Sequence, residues 1–408
     1  MAYKRLRKRS NLFRSSRILL ALAILASALS FAKFSHCEKK DWQSPDNYIH
    51  ACYTDIAPLY TDRGLDKKTW PYASGEKSVE YPVLMGIAMY LTALPSNNMK
   101  DYYFYNILLL ALLFIATVFV LQRIGAYGFY YALAPAVIGS LFINWDLWAI
   151  PTMLLAIYWF DRKRFDYSAI ALGISVATKF FPVLLLIPIL VIYLRSSKSP
   201  IRYLAVFTGT WLAINLPFAI TTPTGWWHFY KFNLERGPDW GSIWTALQTL
   251  GWQGGSINYL SLLGTLMILS WVAVFLFGLV ETPTLAEVSF IVFASALVLT
   301  KVYSPQYVLW LTALAVIAIS SRQTLITFWS WQVAELIYHI AIWQHLALLS
   351  NAHFGLSAAF YGAITLLRLA AQIGMIYSLA HQVKRAKSAG NTQGKPWDFL
   401  FETASSYP

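Results

Sequence analysis

SHCEKKDWQSPDNYIHACYTDIAPLYTDRGLDKKTWPYASGEKSV, residues 35–79, runs directly into EYPVL at 80–84 and interrupts two apolar runs with a long polar, aromatic segment. It is too long for a minimal hairpin between helices. Loops of this length without strong helical patterning are usually functional or disordered. The Trp and Tyr residues argue against disorder, because they supply apolar surface that a folded segment can bury. The carboxylates here are therefore the first place to look for chemistry.

Outward from this segment the chain is mostly apolar. Of 408 residues, 57% are hydrophobic, 16% aromatic and 12% charged, where soluble domains carry about 25% charged residues. Repeated long apolar runs with few charges predict an all-α polytopic membrane protein. The net charge of +13 would suit a nucleic acid partner, but the positions of the charges do not. Lys4, Arg5, Arg7, Lys8, Arg9, Arg14 and Arg17 precede the first apolar run, and Lys384, Arg385 and Lys387 follow the last. DRKR (161–164) and RSSKSPIR (195–202) lie between runs. This is the positive-inside pattern, and no nucleic acid partner is expected.

The predicted organisation is a basic cytoplasmic segment at 1–17, a single transmembrane domain at 18–383 and a cytoplasmic tail at 384–408. The run from Ile18 to Phe34 has a basic flank like a signal peptide, but Ala32-Lys33-Phe34 is a poor cleavage site, so the run is read as an uncleaved first span. Segments at about 35–103 and 221–256 are placed outside the membrane. About twelve spans are predicted. Beyond the first they are 104–121, 127–143, 147–160, two short spans forming a hairpin, 204–220, 257–280, 286–300, 308–320, 325–343 and 356–379. The hairpin lies between DRKR and RSSKSPIR and is broken at Lys179-Phe180-Phe181-Pro182. A single helix there would carry the second basic cluster outside, and the proline disfavours helix continuation. Residues 81–94 are apolar but too short to span, and are read as a helix at the outer face.

Both cysteines, Cys37 and Cys52, fall in the first outer segment. An oxidising compartment favours a disulfide between them, worth roughly 3 kcal/mol in the chain-entropy model. Asp55, in HACYTDIAPLY, has two readings: a partly desolvated carboxylate able to take a proton from a hydroxyl, or part of a helix start in which Thr54 or Asp55 is the N-cap before Ile-Ala-Pro. Glu80 is either a second site carboxylate or an anion starting a helix. Of the cations Arg63, Lys67 and Lys68, only Arg63 is retained, for its place between aromatic and turn residues. Asn144 and Asp146 fall at the outer end of the third span, where a carboxylate is either simply interfacial or, as a costly charge near membrane depth, functional.

Lys179, in ISVATKFFPVLLL, either snorkels or binds a phosphate as a point charge. Lys301, followed by Tyr303, Ser304 and Gln306, offers a cation, hydroxyls and an amide suited to a lipid phosphate bearing a sugar, or else an interfacial anchor. Glu335 and His339 are four apart and share a helix face, as a proton relay, a ligand site or a mutually neutralised pair. Trp226, Trp227, His228, Tyr230 and Trp240 form an aromatic set in the second outer segment. No zinc spacing, phosphate-binding glycine loop or dinucleotide fingerprint occurs.

The ordered motifs CYTDIAPLYTDRGL, VEYPVL, NWDLWAI, ATKFFPVLLL and KVYSPQYVLWL resemble those of the bacterial membrane glycosyltransferases of family 87, over roughly residues 15–380. The resemblance implies a GT-C fold and an inverting hexosyl transfer, mannosyl above all. The donor would be a polyprenyl-phosphate sugar and the acceptor a glycolipid or cell-envelope glycan, on the extracytoplasmic face of the plasma membrane. It implies a catalytic acidic residue in the first outer segment, matched here to Asp55, with Asp46, Asp62 and Glu80 as the other carboxylates in reach. Lys179 and Lys301 would then lie near the donor phosphate, and no metal or cofactor is expected. The rival reading is a transporter or flippase of a lipid-linked sugar.

Overall fold

The computed structural model describes residues 16–73 and 75–388, which are helical with no strand. The basic residues Lys4 to Arg14 and the tail from 389 onward lie outside the described residues. The first helix, α1, is Ser16–Lys39. The polar segment after it folds into short pieces: α2 (Asp46–Ile49), α3 (Ile56–Asp62) and single 3-10 turns at Leu65–Lys67 and Gly75–Lys77. Pro82, extended, leads into the eleven-residue α4 (Val83–Ala93). α5 (Met99–Ile124) is opened by the Asn98 side chain, which accepts from the Asp101 N–H, and closed by Gly125 at φ 106°. That left-handed position favours glycine and is a common helix stop.

The predicted third span is not one helix. α6 (Gly128–Leu133) and α7 (Pro135–Ser140) are separated at Ala134, which is extended at φ −67°, ψ 117°. Pro135 has no N–H to continue the helix and forces the residue before it out of the α region. After α7 the chain turns through Asn144 into a 3-10 turn at Asp146–Trp148, then α8 (Ile150–Asp161). Asn144 and Asp146 lie in this turn and are buried in the protein, 4% and 1% exposed.

The hairpin break falls where the proline places it. α9 (Phe165–Thr178) ends at Lys179, which is extended, and a 3-10 turn (Phe181–Leu185) leads into α10 (Leu186–Arg195). There follow α11 (Ile201–Thr221), α12 (Pro223–Glu235), α13 (Ile243–Thr249) and α14 (Ile257–Phe277). The chain closes with α15 (Leu285–Leu299), α16 (Val308–Ala318), α17 (Arg322–Leu349) and α18 (Ala358–Ser388).

Among the described residues five helices, α1, α5, α11, α14 and α18, are long and apolar enough to cross a membrane. The chain is a helical membrane protein. Several other apolar helices are only 10–17 residues long, short of the roughly 20 needed for a full crossing. Two of these short helices make the core. Every residue of α16 is buried, and in α15 all but Glu287 and Leu299 are. A helix that is apolar all round belongs inside a bundle. The long helices α11 and α14 keep only three buried residues each and present apolar surface outward, as lipid, unlike water, would tolerate.

Glu335 and His339, expected to act as one pair, have separate partners. Glu335 meets Arg368 of α18 at 2.9 Å and accepts from the Tyr303 hydroxyl at 3.1 Å. The guanidinium lies 3.5 Å from the Tyr303 ring centroid and 4.0 Å from that of Tyr338. Nε2 of His339 instead faces Lys33 Nζ of α1 at 3.2 Å, and Lys33 also donates to the Gly139 carbonyl at 2.8 Å. The i, i+4 spacing put both residues on one helix, but their neighbours come from opposite ends of the chain. Arg368→Met should leave Glu335 as an unpaired buried charge and destabilise the protein by about 3–5 kcal/mol. Thermal unfolding in detergent checks this, and the double variant Glu335→Gln/Arg368→Met should recover part of the loss.

Candidate active site

Cys37, near the end of α1, and Cys52 form a disulfide with Cα atoms 5.8 Å apart. The chain leaving Cys52 is stitched to the turn after α7. The Thr54 hydroxyl donates to the carbonyls of Phe142 and Ile143, at 2.8 and 3.1 Å, and the Asp55 N–H donates to Ile143 at 2.8 Å. Thr54 Oγ1 also accepts the Ile56 N–H at 3.1 Å, while the Asp55 carboxylate makes no capping bond to α3. Of its two readings, capping is thus set aside: threonine serves the helix and the carboxylate is directed elsewhere.

Asp55 Oδ1 accepts from the Tyr53 hydroxyl at 2.9 Å, and Oδ2 from the Asn144 amide at 2.7 Å. The same amide nitrogen reaches the Tyr81 hydroxyl at 2.9 Å, while Asn144 Oδ1 accepts from Lys179 Nζ at 2.8 Å. Lys179 lies 4.3 Å from the Tyr81 ring centroid and 3.8 Å from Asp146 Oδ2. Asp146 Oδ1 accepts from the Trp310 indole at 2.6 Å. One row of contacts therefore runs Tyr53, Asp55, Asn144, Lys179, Asp146. Burial pushes the Asp55 carboxyl up to about 6, against the hydrogen bonds of Asn144 and Tyr53 and the charge of Lys179, which pull it down. The Tyr53 phenol is held well above its ordinary value, first by the charge of Asp55 and then by burial.

This row lines a cavity of about 1240 Å³, which Glu80, Arg236, Asp239, Lys301, Ser304 and Gln306 also line. Phe229 and Phe232 of α12 and Leu262 of α14 give it apolar wall. Apolar wall with polar groups set into it is the make-up of small-molecule sites; here the volume is somewhat larger and the polar groups are many.

Several expected site residues sit differently. Arg63 does not line the cavity. Its Nε holds Glu80 at 2.7 Å, and Glu80 meets the cavity already paired. Lys301 lines it, but its ammonium is held by the carbonyls of Leu234 and Arg236 and by Asn258 Oδ1, at 2.9, 2.8 and 2.7 Å. Three acceptors satisfy its three N–H groups, so Lys301 clasps the segment after α12 and is not a free cation for a phosphate. Tyr303 points away, its hydroxyl donating to Glu335 and Gln372 in the bundle. Glu335 and His339 likewise lie off the cavity. Of the aromatic set only Trp240 borders it, while Trp226, Trp227 and Tyr230 pack on one another.

Among the lining residues that carried no sequence expectation are Arg236 and Asp239, both in LERGPDW. No hydrogen bond to the Arg236 guanidinium is formed among the described residues; its nearest ring is Phe232, at 5.3 Å. Asp239 accepts from the Trp240 N–H at 2.8 Å and from the Ser304 hydroxyl, and its own N–H donates to Lys301 O at 2.7 Å. The signal available was a carboxylate immediately after a Gly-Pro turn, which was eclipsed by the aromatic residues around it. Among the described residues, the His, Cys, Asp and Glu atoms close enough to share a metal ion are not in the cavity but at His36, Asp46 and His50.

No family model matches the chain, and no curated protein matches its sequence.

A carboxyl raised on folding is protonated more readily in the native than in the unfolded state, so its contribution to stability declines as pH rises from about 4 through about 6. Asp55→Asn removes that decline. The thermal midpoint of the variant relative to wild type should rise over this interval and level off above it, in paired melts across pH.

Proposed function

We propose that the chain is an inverting, polyprenyl-phosphate-sugar-dependent hexosyltransferase of the GT-C type, related to glycosyltransferase family 87. In this reading the chain crosses the plasma membrane about twelve times, with the short helices completing the crossings, and the cavity opens on the extracytoplasmic side. The donor is most simply polyprenyl-phosphate mannose, and the acceptor a glycolipid or cell-envelope glycan. One observation carries the reading. Asp55, released from capping by Thr54, is held by Asn144 beside Lys179 at the wall of a large cavity with apolar lining.

The chemistry follows from that row. The acceptor hydroxyl loses its proton to Asp55 as its oxygen attacks the anomeric carbon. The bond from that carbon to the phosphate oxygen breaks on the opposite face, and polyprenyl phosphate departs with the electron pair. The leaving group is stable as an anion, so it needs no acid but gains from nearby positive charge. Arg236, whose guanidinium is not engaged by an acceptor among the described residues, is the better candidate for that task than Lys301, whose donors are spent. Lys179 acts through Asn144, keeping the amide turned so that its NH₂ faces Asp55.

The test is transfer by the purified protein from polyprenyl-phosphate mannose to glycolipid acceptors. A new glycoside with released polyprenyl phosphate supports the reading. Movement of intact sugar-lipid across vesicles without cleavage would instead support a flippase. Asp55→Asn should lower kcat by about 10²–10⁴-fold, the usual worth of a general base. Because the base must be ionised, the wild-type rate should fall as pH drops below about 6. A pH–rate profile that is flat there would remove Asp55 from the role. Arg236→Gln should raise KM for the donor and lower kcat/KM while leaving the pH profile in place, and steady-state kinetics across pH separate the two effects.

A further inference from the structure

His36, at the end of α1, and Asp46 and His50, around α2, form a cluster apart from the transfer chemistry. His36 Nε2 lies 2.7 Å from Asp46 Oδ2, and His50 Nδ1 lies 3.2 Å from Asp46 Oδ1. His50 Nδ1 is also 3.2 Å from the Asp46 carbonyl oxygen. The two imidazoles stack with centroids 3.7 Å apart, and one ligand atom from each of the three residues can be chosen so that all lie within 4.8 Å of one another. The Cys37–Cys52 disulfide joins the positions flanking the cluster, so the ligands are gathered by a covalent closure that does not depend on their mutual attraction.

We propose that His36, Asp46 and His50 bind one Zn²⁺ ion, with a fourth position open to water. Two imidazole nitrogens and one carboxylate oxygen are a common zinc donor set. Ligand atoms about 2.0–2.2 Å from a tetrahedral ion sit roughly 3.3–3.6 Å from each other. The 2.7 and 3.2 Å separations run to different oxygens of Asp46, so to surround an ion the carboxylate must present one oxygen to both rings and the stacked imidazoles must part, which side chains this exposed can do. The sequence shows no conventional zinc spacing, because one ligand ends a long helix and the other two lie beyond a loop.

The ion would do structural work at the rim of the cavity. Asp46 shares α2 with Asn47 and Tyr48, which line the cavity. Tyr48 stacks on Tyr53 at 5.5 Å, and the Tyr53 hydroxyl holds Asp55. Zinc fastening α2 to the end of α1 would stiffen this path.

The test uses the full chain in detergent, purified without a polyhistidine tag, stripped with a chelator and dialysed against Zn²⁺. Elemental analysis and thermal unfolding are the two readouts. Wild type should retain one Zn²⁺ per chain and melt at higher temperature with Zn²⁺ than with chelator. His36→Ala and His50→Ala should lose both the retained zinc and the zinc-dependent shift. Should either fail to fold, Asp46→Asn, which keeps the side-chain shape, replaces it with the same expectation. Wild type that retains no zinc, or variants that retain it as wild type does, would overturn the proposal.

Discussion

The amide of Asn144 is the contact on which the rest of the site depends. Its NH₂ donates to Asp55 and its oxygen accepts from Lys179, so one planar group fixes an anion from the polar segment after α1 relative to a cation from the α9–α10 break. An amide can do this in only one orientation, since oxygen and nitrogen are not interchangeable toward partners of opposite charge. Its backbone is placed by Pro135, which ends α6 early, and by the hydrogen bonds of Thr54 and Asp55 to Phe142 and Ile143. The irregular backbone after α7 is buried in protein, the setting in which membrane proteins tolerate non-helical segments.

Around this contact the bundle separates its apolar and polar tasks. α15 and α16 fill the core, and the long helices carry the outward apolar surface. Polar groups inside the bundle are matched across elements far apart in sequence, as with Arg368 and Glu335 or Lys33 and His339. Each such pair ties a helix from one part of the chain to a helix from another. A buried charge is costly unless paired, so these contacts constrain how the helices sit.

Residue spacing and composition made much of the fold legible. The extended break at Lys179 follows from Phe181-Pro182 and the flanking basic clusters, and α4 is as short as its apolar run. The polar segment was legible as ordered because of its aromatics. Within it, Thr54 and Asp55 offered two capping candidates, and only the hydrogen bonds separated them. The interruption at Pro135 was visible as a proline, yet a continuous apolar run masked its effect. Lys301 looked like a free cation because carbonyl partners leave no trace in sequence, and Arg236 and Asp239 were hidden for the matching reason, since nothing near them in sequence shows that the chain folds back to the cavity.

The sequence by itself determined that the chain is helical and membrane-embedded, and it singled out the segment after the first apolar run as the place to look for a site. Those conclusions rest on local quantities: run length, charge placement and the backbone limits of proline. Tertiary structure alone decided which polar groups are engaged with one another and which face the cavity. The partners of Asp55, Lys179, Lys301 and Glu335 are not set by residues beside them, because hydrogen bonds and charge pairs act through space at a few ångströms, whatever the distance along the chain.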